Sequence, residues 1–242
     1  MDFTRGDAEL EKLNKTLNDP DFLRGYKEPL DNYPVAFVPR LCGSFLILCG
    51  NIVYGKFPSY LKFRAVEVIA RVPYYSWTSA AYTLLTLFYT SEKKAIQLGH
   101  ITEYARFAQD NETMHVVVIS SLARAQEHAG FIRHTLIPML FAFLYFWLSY
   151  FLYFVNPRYS YELNYLFENH AFEQYDAFLR VRGDALRHRP IMSDFLAWYG
   201  RYPRSQYEFF LSVRNDEIIH RNTSIREIEN KERAPQSIAG AR

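Results

Sequence analysis

Apolar positions along the chain recur mainly at helical spacing. Helical segments are predicted at about 34–55, 58–90, 95–128, 135–155, 160–182 and 205–228. Neither the alternation typical of a strand nor an Asn-Gly hairpin signal stands out between them. The pattern therefore predicts an all-α protein.

Polar stretches at both ends bound one predicted domain. Residues 1–30 are mostly polar, and we expect this segment to be loosely ordered. Residues 229–242 are polar and contain a proline, which is typical of a disordered tail. A single helical domain over 31–228 is long enough to build a sizeable core.

Two of the predicted helices carry the same short motif, Glu-x-x-His. It occurs as Glu112 with His115, and again as Glu217 with His220. Side chains three residues apart lie on one face of a helix, so each pair can bind one centre. One such pair arises easily by chance, whereas two pairs on separate helices indicate a shared site.

A lone glutamate among apolar residues lies on the predicted helix before each motif. Glu67 follows Val66, and Glu168 follows Phe167. The chain therefore consists of two similar halves, each with a Glu helix followed by a Glu-x-x-His helix. Ferritin-like four-helix bundles with a di-iron carboxylate centre use this ligand pattern.

The predicted ligand set combines carboxylates and imidazoles: Glu67, Glu112, His115, Glu168, Glu217 and His220. Hard oxygen ligands with some nitrogen suit iron or manganese better than zinc or copper. Burying lone carboxylates without partners would be costly, and two divalent cations remove that cost. The alternative, that these residues are surface salt-bridge partners, is weaker for the whole set than for Glu67 alone.

Three further side chains are predicted beside this site. Asn111 and Asp216 each lie four residues before a motif histidine, and a metal-bound histidine usually donates its other N–H to a carboxylate or carbonyl. Asp216 is the better candidate. Tyr175 follows Glu168 by two helical turns on the same face, with core packing as the alternative role. Four other histidines are interpreted as surface or interface residues: His128, His134, His170 and His188.

The segment 135–155 carries no charge in 21 residues, which is long enough to span a bilayer. A span between two aqueous halves would place Glu112 and Glu168 on opposite sides, where they could not share metal. At about 1.5 Å per residue, the segment instead runs back alongside the bundle. We therefore predict a monotopic protein whose membrane-facing helices, about 34–55 and 135–155, lie in one leaflet. A transmembrane pair is the alternative.

Composition agrees with contact to a membrane surface. Apolar residues make up 49% of the chain and aromatic residues 17%, and Tyr and Trp favour membrane interfaces. The net charge of +2 gives no indication of nucleic-acid binding, and a mild basic excess suits anionic lipid. The N-terminal residues show neither a secretory signal nor a transit-peptide composition, so we expect a bacterial-type protein or a mature form.

Four stretches together resemble the alternative oxidase superfamily: "VEVIARVPYY", "NETMH", "NPRYSYELNYLFENHAFEQYDAF" and "VRNDEIIH". The pattern over about 58–225 is most similar to the plastid terminal oxidase branch. The resemblance implies a non-haem di-iron quinol oxidase that reduces O2 to water without pumping protons, with two iron ions as cofactor. The family's ligands fall on the six residues above, and its redox tyrosine falls on Tyr175.

The resemblance also implies partners and location. The family's quinol pocket maps near Lys62, Phe63, Val66, Ala171 and Gln174. Family members usually have Arg where this chain has Lys62, and lysine lacks the planar guanidinium fork. A homodimer is expected, on a thylakoid or cytoplasmic membrane of a cyanobacterium-like host or on a plastid membrane. Plastoquinol and ubiquinol both stay open as substrates.

Two other functions fit the ligand pattern. A di-iron quinone-ring hydroxylase of the demethoxyubiquinone type shares the ligands and the membrane habit, but it inserts oxygen into the ring. A ferritin-like iron-binding protein needs neither a lipid-facing stripe nor a quinol pocket. The Ala-Arg-Val-Pro-Tyr stretch and the position of Tyr175 favour the oxidase.

Overall fold

The computed structural model describes residues 8–126 and 128–233. Over these residues the regular structure is helical and contains no strand, which confirms the predicted all-α class. In chain order the helices are α1 (Ala8–Thr16), α2 (Pro20–Lys27), α3 (Phe37–Tyr54), α4 (Tyr60–Ala70), α5 (Val72–Leu87), α6 (Glu92–Gln126), α7 (Ile137–Val155), α8 (Pro157–Arg187), α9 (Asp194–Tyr199) and α10 (Gln206–Arg233). A 3-10 turn at Glu28–Leu30 precedes α3, and a π-helical turn at Ile132–Leu136 precedes α7.

Four helices, α4, α6, α8 and α10, form the central bundle, and α8 and α10 make its most extensive contact. Phe63, Val118 and Val213 belong to an apolar cluster at one end of the bundle. Ala108 and Ile225 belong to a second cluster at the other end. The predicted ligand residues fall between these two clusters along their helices, so the polar site has an apolar cluster on each side.

The segment predicted as one helix over 58–90 is divided into α4 and α5. α4 ends at Ala70, and Pro73 lies in the first turn of α5. Proline lacks a backbone N–H, and its ring clashes with the carbonyl four residues earlier, so the helix cannot continue through it unbroken. The prediction of helical structure is correct for these residues, but the prediction of one continuous segment is wrong.

The N-terminal segment contains more structure than its polar sequence predicts. α1 and α2 lie within the 1–30 stretch that we expected to be loosely ordered, and Leu17 between them is fully buried. Leu10 and Leu13 of α1 pack with it against α10. The few apolar residues of α1 lie on one side, and its polar residues bond to buried groups elsewhere in the chain. Local polarity therefore misled the prediction.

The last helix also extends beyond its predicted end. α10 continues to Arg233, whereas the prediction ends it near residue 228. The predicted disordered tail therefore begins too early, because residues 229–233 are helical. The remainder of that prediction, 234–242, lies outside the described residues.

α3 and α7 are long and apolar enough to cross a membrane by length and composition. Each has an outer apolar face, made of Phe37, Leu41, Phe45, Leu48 and Ile52 on α3 and of Leu140, Phe143, Leu144, Trp147, Phe151 and Val155 on α7. The opposite faces pack onto the bundle through a shared cluster that includes Leu46, Tyr145 and Leu163. Both helices therefore lie against the bundle and leave one apolar side uncovered.

A glycine allows α3 to approach α8 closely. A Cβ atom at Gly43 would lie 2.8 Å from Leu166 Cδ1 and 3.4 Å from Leu163 Cδ1. Gly50, two helical turns later, has no such neighbour within 4 Å. The close approach of α3 to α8 thus requires glycine, which has no Cβ atom, at Gly43.

Candidate metal centre

The structure brings the six predicted ligand residues into one buried cluster. They come from α4 (Glu67), α6 (Glu112, His115), α8 (Glu168) and α10 (Glu217, His220), and each is at most 2% exposed. Their ligand atoms form two groups, within 4.8 Å in each case: Glu67, Glu112, His115 and Glu217, and Glu112, Glu168, Glu217 and His220. The groups share two carboxylates, which is the arrangement that two bridged metal ions need.

Several atoms of this cluster lack a hydrogen-bond partner. Both oxygens of Glu112 and of Glu217, Oε2 of Glu67 and the Nδ1 atoms of both histidines are buried and unsatisfied. The histidine nitrogens lie near carboxylate oxygens without the geometry of a hydrogen bond: His115 Nδ1 is 3.3 Å from Glu112 Oε2, and His220 Nδ1 is 2.8 Å from Glu112 Oε1. Buried polar atoms are normally bonded, so this convergence of unsatisfied oxygen and nitrogen atoms fits metal ions with mixed oxygen and nitrogen ligands.

The electrostatics of the carboxylates lead to the same conclusion. Burial and the charge of Glu112 raise the pKa of Glu217 well above its usual range, and they also raise the pKa of Glu168. Burial raises the pKa of Glu67 to about 7. Burial opposes ionisation of Glu112 too, but the charge of His115 outweighs it and holds the pKa of Glu112 well below its usual range. Four carboxylates cannot all ionise in this buried space unless cations neutralise them.

Asp216 and Asn111 lie beside the cluster as predicted, but their pairing differs. Asp216 lies four residues before His220, yet its Oδ2 lies 3.0 Å from Nε2 of His115 on α6. Nδ1 of His115 faces the carboxylates, so Nε2 points across to α10. Asn111 donates to Asp216 Oδ2 at 3.2 Å and to the Tyr199 hydroxyl at 3.0 Å. Asn111 therefore acts on the imidazole of His115 through Asp216.

Arg201 completes this network and was missed by the sequence interpretation. Its guanidinium donates to both oxygens of Asp216 and to Glu11 of α1. Asn14 of α1 donates to Asp216 Oδ1 at 2.6 Å. Burial opposes the charge of Asp216, but Arg201 and a hydrogen bond from His115 hold the pKa of Asp216 well below its usual range. Arg201 and Glu11 are 190 residues apart, so no local spacing could have indicated the pair.

Two buried tyrosines bond to glutamates of the cluster, each across the two halves of the chain. Tyr175 on α8 donates to Oε1 of Glu67 on α4. Tyr74 on α5 donates to Oε1 of Glu168 on α8 at 2.8 Å. Each tyrosine follows the glutamate of its own half by seven residues. The sequence interpretation singled out Tyr175 and missed Tyr74, although the repeated spacing was visible.

A cavity leads from between α3 and α7 to Tyr175. Its wall includes the five residues predicted near a quinol pocket: Lys62, Phe63, Val66, Ala171 and Gln174. Most of the remaining wall is apolar, from residues such as Leu46 and Phe141. Because Tyr175 bonds to Glu67, the inner end of the cavity is one side chain away from the ligand cluster.

Lys62 is buried and is bonded within the protein. Its Nζ atom donates to the carbonyl oxygens of Gly55 at 2.9 Å and Lys56 at 3.2 Å, and to Gln174 Oε1 at 2.9 Å. Asn51 Oδ1 lies 3.2 Å away as a further acceptor. A cation suits the C-terminal end of α3, where the helix dipole is negative. Lys62 thus ties α3 to α8, and a direct contact with quinol stays a prediction for it.

His170 lies on the wall of the cavity, whereas the sequence interpretation assigned it to the surface or an interface. Burial and the charge of Lys62 lower the pKa of His170, which favours a neutral imidazole. Tyr145 also lines the cavity, and its buried hydroxyl has no partner among the described residues. Together with Gln174, these side chains supply polar groups in an otherwise apolar wall.

Comparison with known proteins decides the family. The sequence pattern of the alternative oxidase family matches residues 58–228 of this chain. The chain belongs to the alternative oxidase family. The match includes all six clustered ligand residues and both cluster-bonded tyrosines, Tyr74 and Tyr175. The predicted membership and the ferritin-like helical bundle are both confirmed.

A plant relative agrees with the predicted branch of the alternative oxidase family. The chain is 28% identical over 142 residues to "Ubiquinol oxidase 4, chloroplastic/chromoplastic" of Arabidopsis thaliana. The match covers 58% of this chain and 37% of the relative, so this chain aligns with well under half of that protein. No solved structure matches the chain significantly.

Proposed function

We propose that this chain is an iron-dependent quinol oxidase that passes electrons from a quinol to O2 and forms water. The observation that carries the proposal is the cavity. It begins between two apolar helices and ends at Tyr175, which bonds to Glu67 of the ligand cluster. A lipid-soluble reductant entering from the apolar side would therefore come to rest beside the metal ligands.

Two iron ions would be held by Glu67, Glu112, His115, Glu168, Glu217 and His220. When bound, the irons supply the site at which O2 is held and receives electrons. The protein fixes the ligands around them: Asp216 orients the ring of His115, and Tyr74 holds one oxygen of Glu168. Such supporting hydrogen bonds fix ligand geometry in metal sites generally.

A quinol ring suits the cavity chemically. Phe63, Val66 and Ala171 offer apolar surface to the ring, and Gln174 and His170 offer hydrogen bonds to its hydroxyl groups. Plastoquinol and ubiquinol head groups both combine a ring with two hydroxyl groups. These wall residues therefore do not favour one quinol over the other. Pockets that combine an apolar wall with a few polar groups are typical of such ligands.

Tyr175 would act between the quinol and the ligands. Burial and the charge of Glu67 raise the pKa of Tyr175 well above its usual range, so the phenol keeps its proton at neutral pH. The phenol can give up an electron while its proton passes along the hydrogen bond to Glu67 Oε1, and it can then be restored from the cavity side. The predicted redox role of Tyr175 is retained on this basis.

We also propose that the protein lies in one leaflet, as a monotopic homodimer, on a thylakoid, cytoplasmic or plastid membrane. The position in one leaflet is supported by the outer apolar faces of α3 and α7, since both helices pack on α8. The homodimer and the type of membrane rest on the family resemblance alone. Exposed Arg40 lies in the first turn of α3 and exposed Lys56 lies just beyond its last residue, so both can reach lipid headgroups. An enzyme that does not cross the bilayer cannot carry protons across it, so we expect no proton pumping.

Oxygen uptake by the iron-loaded protein tests the proposal. Uptake should depend on added plastoquinol or ubiquinol analogue, tried in turn, and should resist cyanide because no haem takes part. Glu168→Ala removes a ligand and the acceptor of Tyr74, so uptake should be lost. Glu173→Ala, a non-ligand on the same helix, serves as the control and should retain it.

Two outcomes would contradict the proposal. Unchanged turnover in Glu168→Ala would exclude this set of residues as the metal ligands. A quinone product that gains an oxygen atom, detected by mass spectrometry with ¹⁸O2, would indicate a ring hydroxylase instead. Recovery of ¹⁸O only in water is the expected result for an oxidase.

A further inference from the structure

Tyr74 and Tyr175 occupy equivalent positions in the two halves, but their surroundings differ. The ring of Tyr175 lies with its centroid 4.0 Å from Phe63 and 6.1 Å from Phe210. The ring of Tyr74 lies 5.1 Å from Trp77. Phenylalanine gives up an electron far less readily than tyrosine or tryptophan does. Tyr175 is therefore insulated by its ring neighbours, whereas Tyr74 has an oxidisable one.

A row of oxidisable rings leads outward from Tyr74. The centroids are 5.1 Å apart from Tyr74 to Trp77, 4.8 Å from Trp77 to Tyr161 and 5.8 Å from Tyr161 to Tyr153. All four side chains are at most 1% exposed. Tyr153 also lines a surface groove beside Lys94. The row thus connects a phenol bonded to a ligand residue with the edge of the protein.

Hydrogen bonds hold the inner part of this row in place. Tyr74 donates to Glu168 Oε1 at 2.8 Å and accepts from Asn164 Nδ2 at 3.2 Å. The Nε1–H of Trp77 donates to Ser160 Oγ at 2.7 Å. The rings therefore have fixed separations, which a path for electrons requires.

We propose that Tyr74, Trp77, Tyr161 and Tyr153 form an electron path between the ligand cluster and the protein surface, which protects the cluster when quinol is scarce. The inference rests on the proposed function, since only a centre that reduces O2 would draw electrons along the row. If iron were held by the cluster and quinol ran out while O2 was only partly reduced, a nearby side chain would lose an electron to the centre. In this row, the side chain that loses the electron can be reduced again from the protein surface.

Tyr74 gives one electron to the oxidised centre, and its phenolic proton passes to Glu168. Trp77 then returns an electron to Tyr74, which takes its proton back from Glu168. Tyr161 reduces Trp77 and is itself reduced by Tyr153, which releases its phenolic proton to solvent in the groove that it lines and recovers a proton when it is reduced. A one-electron reductant of the ascorbate class supplies the final electron at Tyr153 and releases its own proton to water. The protein is unchanged at the end.

The test follows aromatic radicals in the iron-loaded full-length chain. The protein is reduced, freed of reductant and mixed with O2 in the absence of quinol, and radicals are trapped by freeze-quench EPR with ring-deuterated tyrosine. We expect a tyrosyl signal whose decay is accelerated by ascorbate in the wild type. Trp77→Phe and Tyr161→Phe should lose that acceleration. Both should also inactivate after several-fold fewer turnovers under limiting quinol.

Tyr165→Phe is the matched control. Tyr165 is a buried tyrosine of the same apolar cluster, but it lies outside the row, with its ring tilted against that of Tyr33. It should behave like the wild type, with equal iron content and helicity verified for every variant. Ascorbate sensitivity of the wild-type radical provides a measurement that needs no substitution at the buried Trp77.

The outcomes separate this inference from the proposed function. A wild type that takes up O2 with quinol but forms no aromatic radical overturns the electron path alone. Equal ascorbate sensitivity and equal turnover lifetimes in Trp77→Phe, Tyr161→Phe and Tyr165→Phe also overturn it. A wild type that holds iron but shows no quinol-dependent uptake overturns the proposed function.

Discussion

At the scale of single residues, Asp216 links several parts of the chain to one predicted metal ligand, His115. It accepts from His115, Asn111, Asn14 and Arg201, so both of its oxygens are fully used. Its negative charge fixes the orientation of the His115 ring and sets which ring nitrogen carries hydrogen. The stability of the centre should therefore respond to this charge more than to the shape of the side chain.

Asp216→Asn keeps the shape and removes the charge. We expect the affinity for iron or manganese to fall by about 10–100-fold, the usual range for loss of a hydrogen-bond partner of a metal ligand. Titration of metal in competition with a chelator measures it. Asp176→Asn is the control, because Asp176 forms an ion pair with Arg214 at 3.3 Å without contacting the predicted ligand residues. Equal affinities in the two variants would contradict the role of Asp216.

The buried carboxyls give the metal-free protein a defined pH dependence. Burial raises the pKa of Glu67 from 4.5 to about 7, so between these values the folded chain keeps a proton that the unfolded chain has lost. The resulting stabilisation is complete below pH 4.5 and is lost as the pH rises through about 7. The raised pKa values of Glu168, Glu217 and His115 act in the same direction.

We therefore expect the metal-free protein to melt at a lower temperature at about pH 8 than at about pH 6. Metal must displace the same protons, so its affinity should rise over this interval and its stabilising effect should be larger at the higher pH. Differential scanning fluorimetry with and without Mn²⁺ measures both effects. A metal-free melting temperature that increases with pH would contradict the assigned shifts.

The residues of the centre differ in how far their sequence reveals them. Glu112 and His115 share one helix face, so spacing alone brings them together. Asp216 shares a helix with His220 but bonds to His115, because the free nitrogen of a ligand histidine points toward a neighbouring helix. Spacing within one helix cannot predict a contact between two. Arg201 lies in a loop and leaves no periodic signal at all.

At the scale of helices, α3 depends on close packing against α8. Gly43→Val introduces a branched side chain where a Cβ atom alone would already lie 2.8 Å from Leu166 Cδ1. We expect a loss of about 1–3 kcal/mol in the free energy of unfolding, the usual cost of overpacking. Gly50→Val changes the same helix where the Cβ meets open space, so it is the control.

Chemical denaturation of both glycine variants in detergent measures this difference. The two substitutions change helix propensity equally, so the difference between them isolates the packing against α8. Equal stability of the Gly43 and Gly50 variants would mean that α3 can move away from α8 at no cost.

Helix positions were predicted well where apolar runs are long and poorly where partners are distant. α7 matches its predicted segment because 21 uncharged residues leave few alternatives. α1 was missed because Glu11 and Asn14 gain their stability from Arg201 and Asp216, far along the chain. The break before α5 is caused by Pro73, which is visible in the sequence. The prediction gave more weight to the apolar residues on either side of this proline.

At the scale of the whole molecule, the outer apolar faces of α3 and α7 should decide membrane attachment. Phe45→Glu combined with Phe143→Glu places one charge on each face, and both side chains are more than 60% exposed. We expect the variant to fold but to lose binding to anionic vesicles in a flotation assay. Val181→Glu alters an 81% exposed residue on α8 and should still bind. Unchanged flotation of the double variant would exclude these faces as the lipid contact.

The pattern along the chain predicted the bundle, whereas the five predicted residues on the cavity wall came from the family resemblance and not from that pattern. The order of Glu helix and Glu-x-x-His helix, repeated once, is enough to specify four helices around one centre. The cavity is formed by α3, α4, α7 and α8 together, and its volume depends on how closely those helices approach. That distance is set by contacts such as the one at Gly43, which no pattern along a single helix contains.

Each half of the chain supplies the tyrosine that bonds to the other half's glutamate: Tyr74 bonds to Glu168, and Tyr175 bonds to Glu67. Each half therefore depends on the other, because neither half contains both a glutamate of the cluster and the tyrosine that bonds to it. If the cluster binds iron as proposed, a nascent chain would complete the site only after α10 has been synthesised, because α10 carries Glu217 and His220. A product truncated before α10 would then retain the ion poorly.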